Sequence, residues 1–176
     1  MGRPALWLST LVLSLAGSAS VCTAAASAAS PAKAPVVKAV DMDDPVAVGK
    51  ADLKLYFGYN TVTDHSRWDA VLRSTRYYTR SYAAATKAVH PRPYNDAQWG
   101  LWKAHKAVMA VSVARVYDSA PPPTTPTVAY AEFRVTVVPQ GLHNWIGPRQ
   151  VHIVWASFQR SAPARGPWLI SRLEVQ

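Results

Sequence analysis

The chain is poor in cysteine, and this limits the chemistry that it can carry. Among its 176 residues only Cys22 is a cysteine, and it lies in an apolar N-terminal segment. If that segment is removed, disulfides, a thiol nucleophile and a cysteine-based metal site are all excluded. The histidines are scattered without the paired spacing of metal ligands; they are His65, His90, His105, His143 and His152. We therefore expect no metal and no cofactor.

Glycine and acidic residues are also scarce. Eight glycines against fourteen prolines exclude a collagen-like chain. There is no glycine-rich phosphate loop, no Gly-x-Ser-x-Gly elbow and no dinucleotide fingerprint. Only ten acidic residues oppose nineteen Lys and Arg, which gives a formal net charge of +9. Hydrophobic residues make up 49% of the chain, so we expect a folded domain with a basic surface, suited to anionic or acidic partners.

The N-terminus lacks a long hydrophobic run but has the pattern of an export signal. Arg3 precedes an apolar stretch over residues 5–16, and small residues follow it. This order predicts a secretory signal peptide over residues 1–29, with cleavage just before Ser30 or Pro31. A retained membrane anchor is the first alternative, although residues 17–29 are only weakly apolar. A lipoprotein on Cys22 is the second, although the preceding Val is bulky for that motif.

A Pro/Ala/Lys-rich linker over residues 30–43 leads into a single domain, residues 44–176. Asp44 and Pro45 predict the start of a first helix that continues to about Asn60. Ser66 predicts the start of a second helix that ends before His90 and the proline after it. One face of this second helix is apolar, with Trp68, Val71, Leu72, Thr75, Tyr78 and Tyr82. The opposite face carries Arg73, Arg76, Arg80 and Lys87, and Asp69 is spaced to pair with Arg73.

The rest of the chain has sequence patterns typical of β-strands. Strands are predicted over residues 105–117, 128–138, 150–158 and 168–175, separated by proline- and glycine-rich turns. Within the second strand, apolar and mostly polar side chains alternate strictly from Ala129 to Val137. This alternation places Phe133 on the inward face, near Tyr78 or Tyr82. Short connections favour an antiparallel meander. We therefore predict an α+β domain in which N-terminal helices pack on a curved four-stranded antiparallel sheet.

Two helices, the second ending in RYYTRSYAAA, followed by a meander that closes on GPWLISRLEVQ, resemble the cystatin-like, nuclear-transport-factor-2-like cone fold. With an export segment and a spacer before it, the chain resembles actinobacterial Mce-associated proteins and the periplasmic domains of conjugal-transfer assembly factors. This resemblance implies a scaffold in a membrane-spanning transport or conjugation assembly, without chemistry of its own. Those relatives usually keep a transmembrane helix, whereas residues 6–16 are short for one.

The aromatic residues predict a pocket or a packed lid between the helices and the sheet. The candidate lining residues are Trp68, Tyr78, Tyr82, Trp99, Trp102 and Phe133, which would suit an apolar small ligand if the pocket is open. The interior set offers no carboxylate, so a catalytic role would need a dyad such as Glu132 with His152. A closed, aromatic-filled interior would favour a scaffold instead.

The candidate contact surface combines the basic helix face with one loop residue. Arg73, Arg76 and Arg80 form the basic face, and Trp145 follows Gly141 in the loop before the third strand. We expect an envelope protein, an anionic lipid or a wall polymer as partner, and nucleic acid is not favoured because no aromatic-plus-basic strand motif occurs. The leading hypothesis is a non-enzymatic module that is secreted or associated with the cell envelope. The alternative is a ligand-binding or catalytic protein that uses the pocket.

Overall fold

The computed structural model describes residues 39–89, 96–117, 122–160 and 166–176, all of which belong to one unit, residues 38–176. Its helices are α1 (Pro45–Tyr56), α2 (Arg67–Ser74), α3 (Arg80–Ala88) and α4 (Ala97–Ala104). Its strands are β1 (Val108–Val116), β2 (Val128–Gln140), β3 (Gln150–Gln159) and β4 (Leu169–Val175). None of the described helices has the length and apolarity needed to cross a membrane. The predicted signal peptide and the first nine linker residues lie outside the described residues.

The strands form one antiparallel sheet in the order β1-β2-β3-β4, which confirms the predicted meander and the α+β class. Phe133 at the centre of β2 lies opposite Arg115 of β1 and Val154 of β3. The one irregularity within these pairings is a register shift between β3 and β4 at Ser157 and Phe158. Because side chains alternate along a strand, this register gives the sheet one face toward the helices and one outer face.

The face toward the helices forms the core. Its five residues from β2 are all at least 97% buried: Ala129, Ala131, Phe133, Val135 and Val137. The helix that packs on the centre of this face is α1, not the predicted second helix. A Cβ atom on Gly49 would lie only 2.6 Å from the Phe133 ring and 3.0 Å from that of Phe158. Phe133 therefore packs against α1 at a position where only glycine has the space, and it belongs to the same buried cluster as Tyr78.

Helix α1 ends four residues earlier than the sequence predicts. Its start is as expected, since the Asp44 side chain accepts a hydrogen bond from the backbone N–H of Val46 at 2.8 Å. Beyond Tyr56 the chain turns to pair with the start of β1. Asn60 bridges Val108, and the Met109 N–H donates to the Tyr59 carbonyl at 3.0 Å. Pairing with a distant strand therefore overrides the helical pattern of these residues.

The predicted second helix is broken into α2, a 3₁₀ turn over Thr75–Tyr77, and α3. The hydroxyls of Ser74 and Thr75 each donate to a backbone carbonyl three residues back, at 2.8 Å, which competes with helical bonding. Tyr78 is then extended and bridges Ile170 of β4, and the Thr79 side chain caps α3. The segment before β1, expected to be irregular, contains α4, whose N–H groups are capped by Asp96.

Candidate functional site

The three arginines of the predicted basic face do not share one helix face. Arg73 is in α2, Arg76 in the 3₁₀ turn and Arg80 at the start of α3, so the break between them separates their directions. Arg76 and Arg80 are exposed, whereas Arg73 is only partly so. The one-helix geometry on which the prediction rested is therefore wrong, because Tyr78 leaves the helix to pair with β4.

Arg73 belongs to an internal ion pair. Its guanidinium binds both carboxylate oxygens of Asp64, at 2.5 and 2.9 Å, and also donates to the Gly58 carbonyl at 3.2 Å. Asp64 is buried and accepts a further hydrogen bond from the Asn60 N–H. Burial alone would raise the pKa of Asp64, but the bonds from Arg73 and Asn60 lower it below 3.8 overall. Asp69, the expected partner of Arg73, accepts instead from the N–H of His65.

The six predicted pocket residues are distributed over the packed interior. Trp102 and Phe133 are fully buried and Tyr78 is nearly so, while Trp68, Tyr82 and Trp99 are partly buried. Tyr78 and Tyr82 form one pair, with ring centroids 4.6 Å apart, and Trp99 and Trp102 form another group with Tyr59 at 6.1–6.3 Å. Phe133 packs against Gly49 and shares one buried cluster with Tyr78 and Trp102. Tyr82 and Trp99 pack against that cluster, whereas Trp68 is not part of it.

A cavity of about 180 Å³ lies on the outer face of the sheet. It is lined by Pro122, Tyr130, Trp155, Ala156, Ser157, Arg172 and Glu174, none of which is among the predicted lining residues. Its volume is below the roughly 300 Å³ at which sites for drug-sized ligands begin. Glu132 lies in β2 opposite Trp155, whereas His152 lies opposite the buried Val135 and stacks on Phe57. Glu132 and His152 therefore project from opposite faces of the sheet, which excludes a dyad between them.

Trp145, the predicted loop contact, takes part in packing. Its ring stacks on His105 with centroids 4.1 Å apart and an interplanar angle of 6°. Its carbonyl accepts from the N–H of Gly141 at 2.8 Å, which closes the turn between β2 and β3. The side chain is only partly exposed, so Trp145 stabilises this turn rather than projecting freely from it.

A buried carboxyl that the sequence analysis missed lies on α1. Asp52 is completely buried, and neither of its oxygens has a hydrogen-bond partner among the described residues. Burial raises its pKa well above 3.8, and the neighbouring Ser74 hydroxyl offsets only part of that rise. The Ser74 hydroxyl itself contacts the Val71 carbonyl and the Tyr78 hydroxyl. Burial, with a smaller contribution from Asp52, also raises the pKa of Tyr78. In the sequence, the position of Asp52 three residues after Gly49 was the signal that could have placed it on the buried face of α1.

Exposed aliphatic residues occur on the segments that meet where β1 begins and β2 ends. We call this set the apolar end; it consists of Val62, Leu101, Val108, Leu142 and Ile146, with 46–68% of each residue exposed. Backbone contacts hold its segments together. The Thr61 N–H donates to the Ala107 carbonyl and the Leu142 N–H to that of His105, each at 3.0 Å, and Ile146 bridges Gln140.

The charges on the segments of the apolar end are all positive, and the two adjacent carboxylates, Asp64 and Asp96, are paired with Arg73 and Arg67. The segments that form it, residues 59–63, 97–110 and 138–151, contain no Asp or Glu. They contribute Lys103, Lys106 and Arg149, which are exposed. Within the part of the chain that the structure describes, none of these three forms an ion pair with an acidic residue. The segments of the apolar end therefore combine exposed aliphatic residues with exposed basic ones. Within the described part of the chain, no group of three or more His, Cys, Asp or Glu residues is placed to hold a metal ion.

No protein-family model and no curated protein matches the chain. Among solved structures, an IcmL-like type IV secretion system protein from Legionella pneumophila is similar, with 10% identity and a TM-score of 0.46, over 73% of this chain and 87% of that one. A periplasmic fragment of TraM is similar with 15% identity and a TM-score of 0.45, over 77% and 97% of the two chains. Neither similarity is close enough to assign a function, and the cystatin-like cone fold stays a prediction.

Proposed function

We propose that the chain is an exported, non-enzymatic interaction module of the cell envelope that binds its partner through the apolar end. The observation that carries this proposal is that three segments joined by backbone hydrogen bonds carry five exposed aliphatic residues. Exposed apolar side chains that lie together and are rimmed by polar residues typically mark interaction sites. The transport or conjugation assembly implied by the sequence resemblance is one setting in which such a module would act.

The chemistry of the apolar end favours an envelope protein as partner. Aliphatic side chains at its centre suit a complementary apolar patch, and the surrounding Lys103, Lys106 and Arg149 suit acidic residues at the rim of that patch. Anionic lipid and wall polymer offer the negative charge but not a shaped apolar surface. Arg76 and Arg80 remain candidates for a second, separate contact.

A pair of matched substitutions tests this proposal. Leu142 in the apolar end and Val89 after α3 are 51% and 52% exposed, so Leu142→Glu and Val89→Glu make the same kind of change at equally accessible sites. We expect residues 30–176 carrying Leu142→Glu to lose saturable binding to the envelope fraction of the producing organism. The Val89→Glu variant should bind as the unmodified chain does. Equal binding by both variants would contradict the proposal.

Protease treatment of the envelope fraction distinguishes the partner classes. Binding that disappears after the treatment supports a protein partner. Binding that survives it points to lipid or wall polymer, and these two separate on purified vesicles containing anionic lipid and on protein-free cell wall. A catalytic function would instead predict turnover of a small molecule that depends on interior residues such as Asp52, with no effect of Leu142→Glu.

A further inference from the structure

The two edges of the sheet are covered to different extents. At β4 the Thr79 N–H donates to the Ile170 carbonyl at 2.8 Å, and the Leu173 N–H donates to the Tyr82 hydroxyl at 3.2 Å. At β1 the corresponding cover is confined to the start of the strand, where Met109 bonds to Tyr59. Residues 110–116 therefore form an edge along which no other described segment pairs.

The backbone groups on this edge can be assigned by alternation. The Met109 N–H points away from β2, toward Tyr59, and β1 pairs with β2 over nine consecutive residues without a bulge. The N–H and C=O groups of Val111, Val113 and Arg115 therefore also point away from β2. Among the described residues these groups have no hydrogen-bond partner.

The edge lacks the features that usually keep edge strands apart. Residues 110–116 contain no proline and no bulge, and Arg115 is their only charged residue. The outer-face side chains, Ala110, Ser112, Ala114 and Val116, are no larger than valine, so they leave room for a neighbouring strand. An edge of this kind pairs readily with another extended chain.

We propose that β1 pairs antiparallel with β1 of a second copy of this chain, centred on Val113. The uncovered stretch is symmetric about Val113, with three residues on each side. In this register Val113 faces Val113 of the second copy, and Val111 faces its Arg115. The unpaired N–H and C=O groups of Val111, Val113 and Arg115 in each copy are then all used. Three such pairs exchange two hydrogen bonds each. The lone charge never faces its equivalent, so like charges are not placed directly opposite.

Because Thr79 and Tyr82 cover part of the β4 edge, we expect assembly to stop at two copies. A sheet with two open edges would add chains at both sides, whereas pairing of one open edge about a two-fold axis is closed. The +9 net charge opposes association of two copies, and salt screens such repulsion, so added salt should strengthen the pairing. This dimer rests on residues 110–116 of β1, which include none of the five residues of the apolar end.

Engineered cysteines test the register. Residues 30–176 contain no native cysteine, and they include the whole unit that has its own core. In the proposed pairing Ser112 lies opposite Ala114 of the second copy, in a non-hydrogen-bonded pair with Cα atoms about 4.5 Å apart. Ser112 and its own equivalent are diagonal neighbours, about 7–8 Å apart, which is too far for a disulfide.

We therefore expect a mixture of Ser112→Cys and Ala114→Cys chains to form a mixed disulfide dimer under mild oxidation. Either variant alone should not, and neither should Ser112→Cys mixed with Ala84→Cys, an exposed position on α3. Equal cross-linking in all of these samples, or none in any of them, would overturn the proposal.

A proline substitution tests the hydrogen bonds. Val113→Pro removes an N–H that does not bond to β2, so the sheet is kept while two bonds across the dimer are lost. Val113→Ala shortens the same side chain but keeps the N–H and is the matched control. Sedimentation equilibrium should show a dissociation constant about tenfold or more higher for Val113→Pro than for Val113→Ala. Equal association of the two variants, or a monomer throughout for the unmodified chain, would refute the proposal.

Discussion

Replacing Asp52 by Asn should stabilise the domain at neutral pH and leave its stability at pH 4 nearly unchanged. The reason is that the folded state holds the Asp52 carboxyl in a fully buried place, with no hydrogen-bond partner among the described residues. Burial raises its pKa well above 3.8, so over a range of pH the folded chain keeps a proton that the unfolded chain releases. Asn has nearly the same shape and carries no charge at any pH in this range.

The sign and size of the effect follow from proton linkage. The contribution of Asp52 to stability is fully present below pH 3.8 and is lost as pH rises toward its folded-state pKa. While the folded carboxyl stays protonated, each pH unit above 3.8 lowers the free energy of unfolding by about 1.4 kcal/mol. We expect Asp52→Asn to be more stable than the unmodified chain at pH 7, by up to about 1.4 kcal/mol for each pH unit over which the folded carboxyl stays protonated.

The assay is urea denaturation of both chains at pH 4, 5, 6 and 7. Titration of the other groups, including Asp64 with its lowered pKa, is common to the two chains and cancels in the difference. The difference in free energy of unfolding should therefore grow with pH. A difference that stays constant across this range would refute the reasoning, since it would mean that Asp52 titrates in the folded state as it does when unfolded.

Three other predictions concern packing, the internal ion pair and export. Phe133→Ala should lower the free energy of unfolding by about 3–5 kcal/mol, since the ring is fully buried against Gly49; a loss below about 1 kcal/mol in urea denaturation would contradict this packing. Arg73→Ala should cost about 1–3 kcal/mol, because it leaves the buried Asp64 carboxylate with only the Asn60 N–H; retained stability in thermal denaturation would argue against the pair. N-terminal sequencing of the extracellular form should find a first residue between positions 27 and 31, and an intact Met1 on membrane-bound protein would indicate an anchor.

The strands were predictable because their signal is local. Alternation along β2 decides which side chains face the helices, and the structure confirms this for Ala129 to Val137. Helix ends were less predictable because partners distant in sequence decide them. Asn60 leaves the helical pattern to pair with Val108, and Tyr78 leaves it to pair with Ile170.

The sites were predicted less well for the same physical reason. The apolar end depends on three segments, distant in sequence, that meet through the bridge between Asn60 and Val108 and the hydrogen bond from Leu142 to His105. Arg73 fits a basic helix face by spacing, yet its carboxylate partner, Asp64, lies before the helix, outside the spacing that relates residues on one helix face. Asp52 lies on the buried face of α1. A charged side chain at such a position is expected from the sequence to be exposed, so its burial was not predicted.

The central claim is that the apolar end is the surface that binds an envelope protein. The most direct measurement places a photo-activatable amino acid at Ile146, which is 68% exposed, and at Val89 as the control, in residues 30–176 bound to the envelope fraction. We expect illumination to yield a discrete, protease-sensitive adduct from position 146 and none from position 89. Adducts from both positions in equal yield, or from position 89 alone, would contradict the claim.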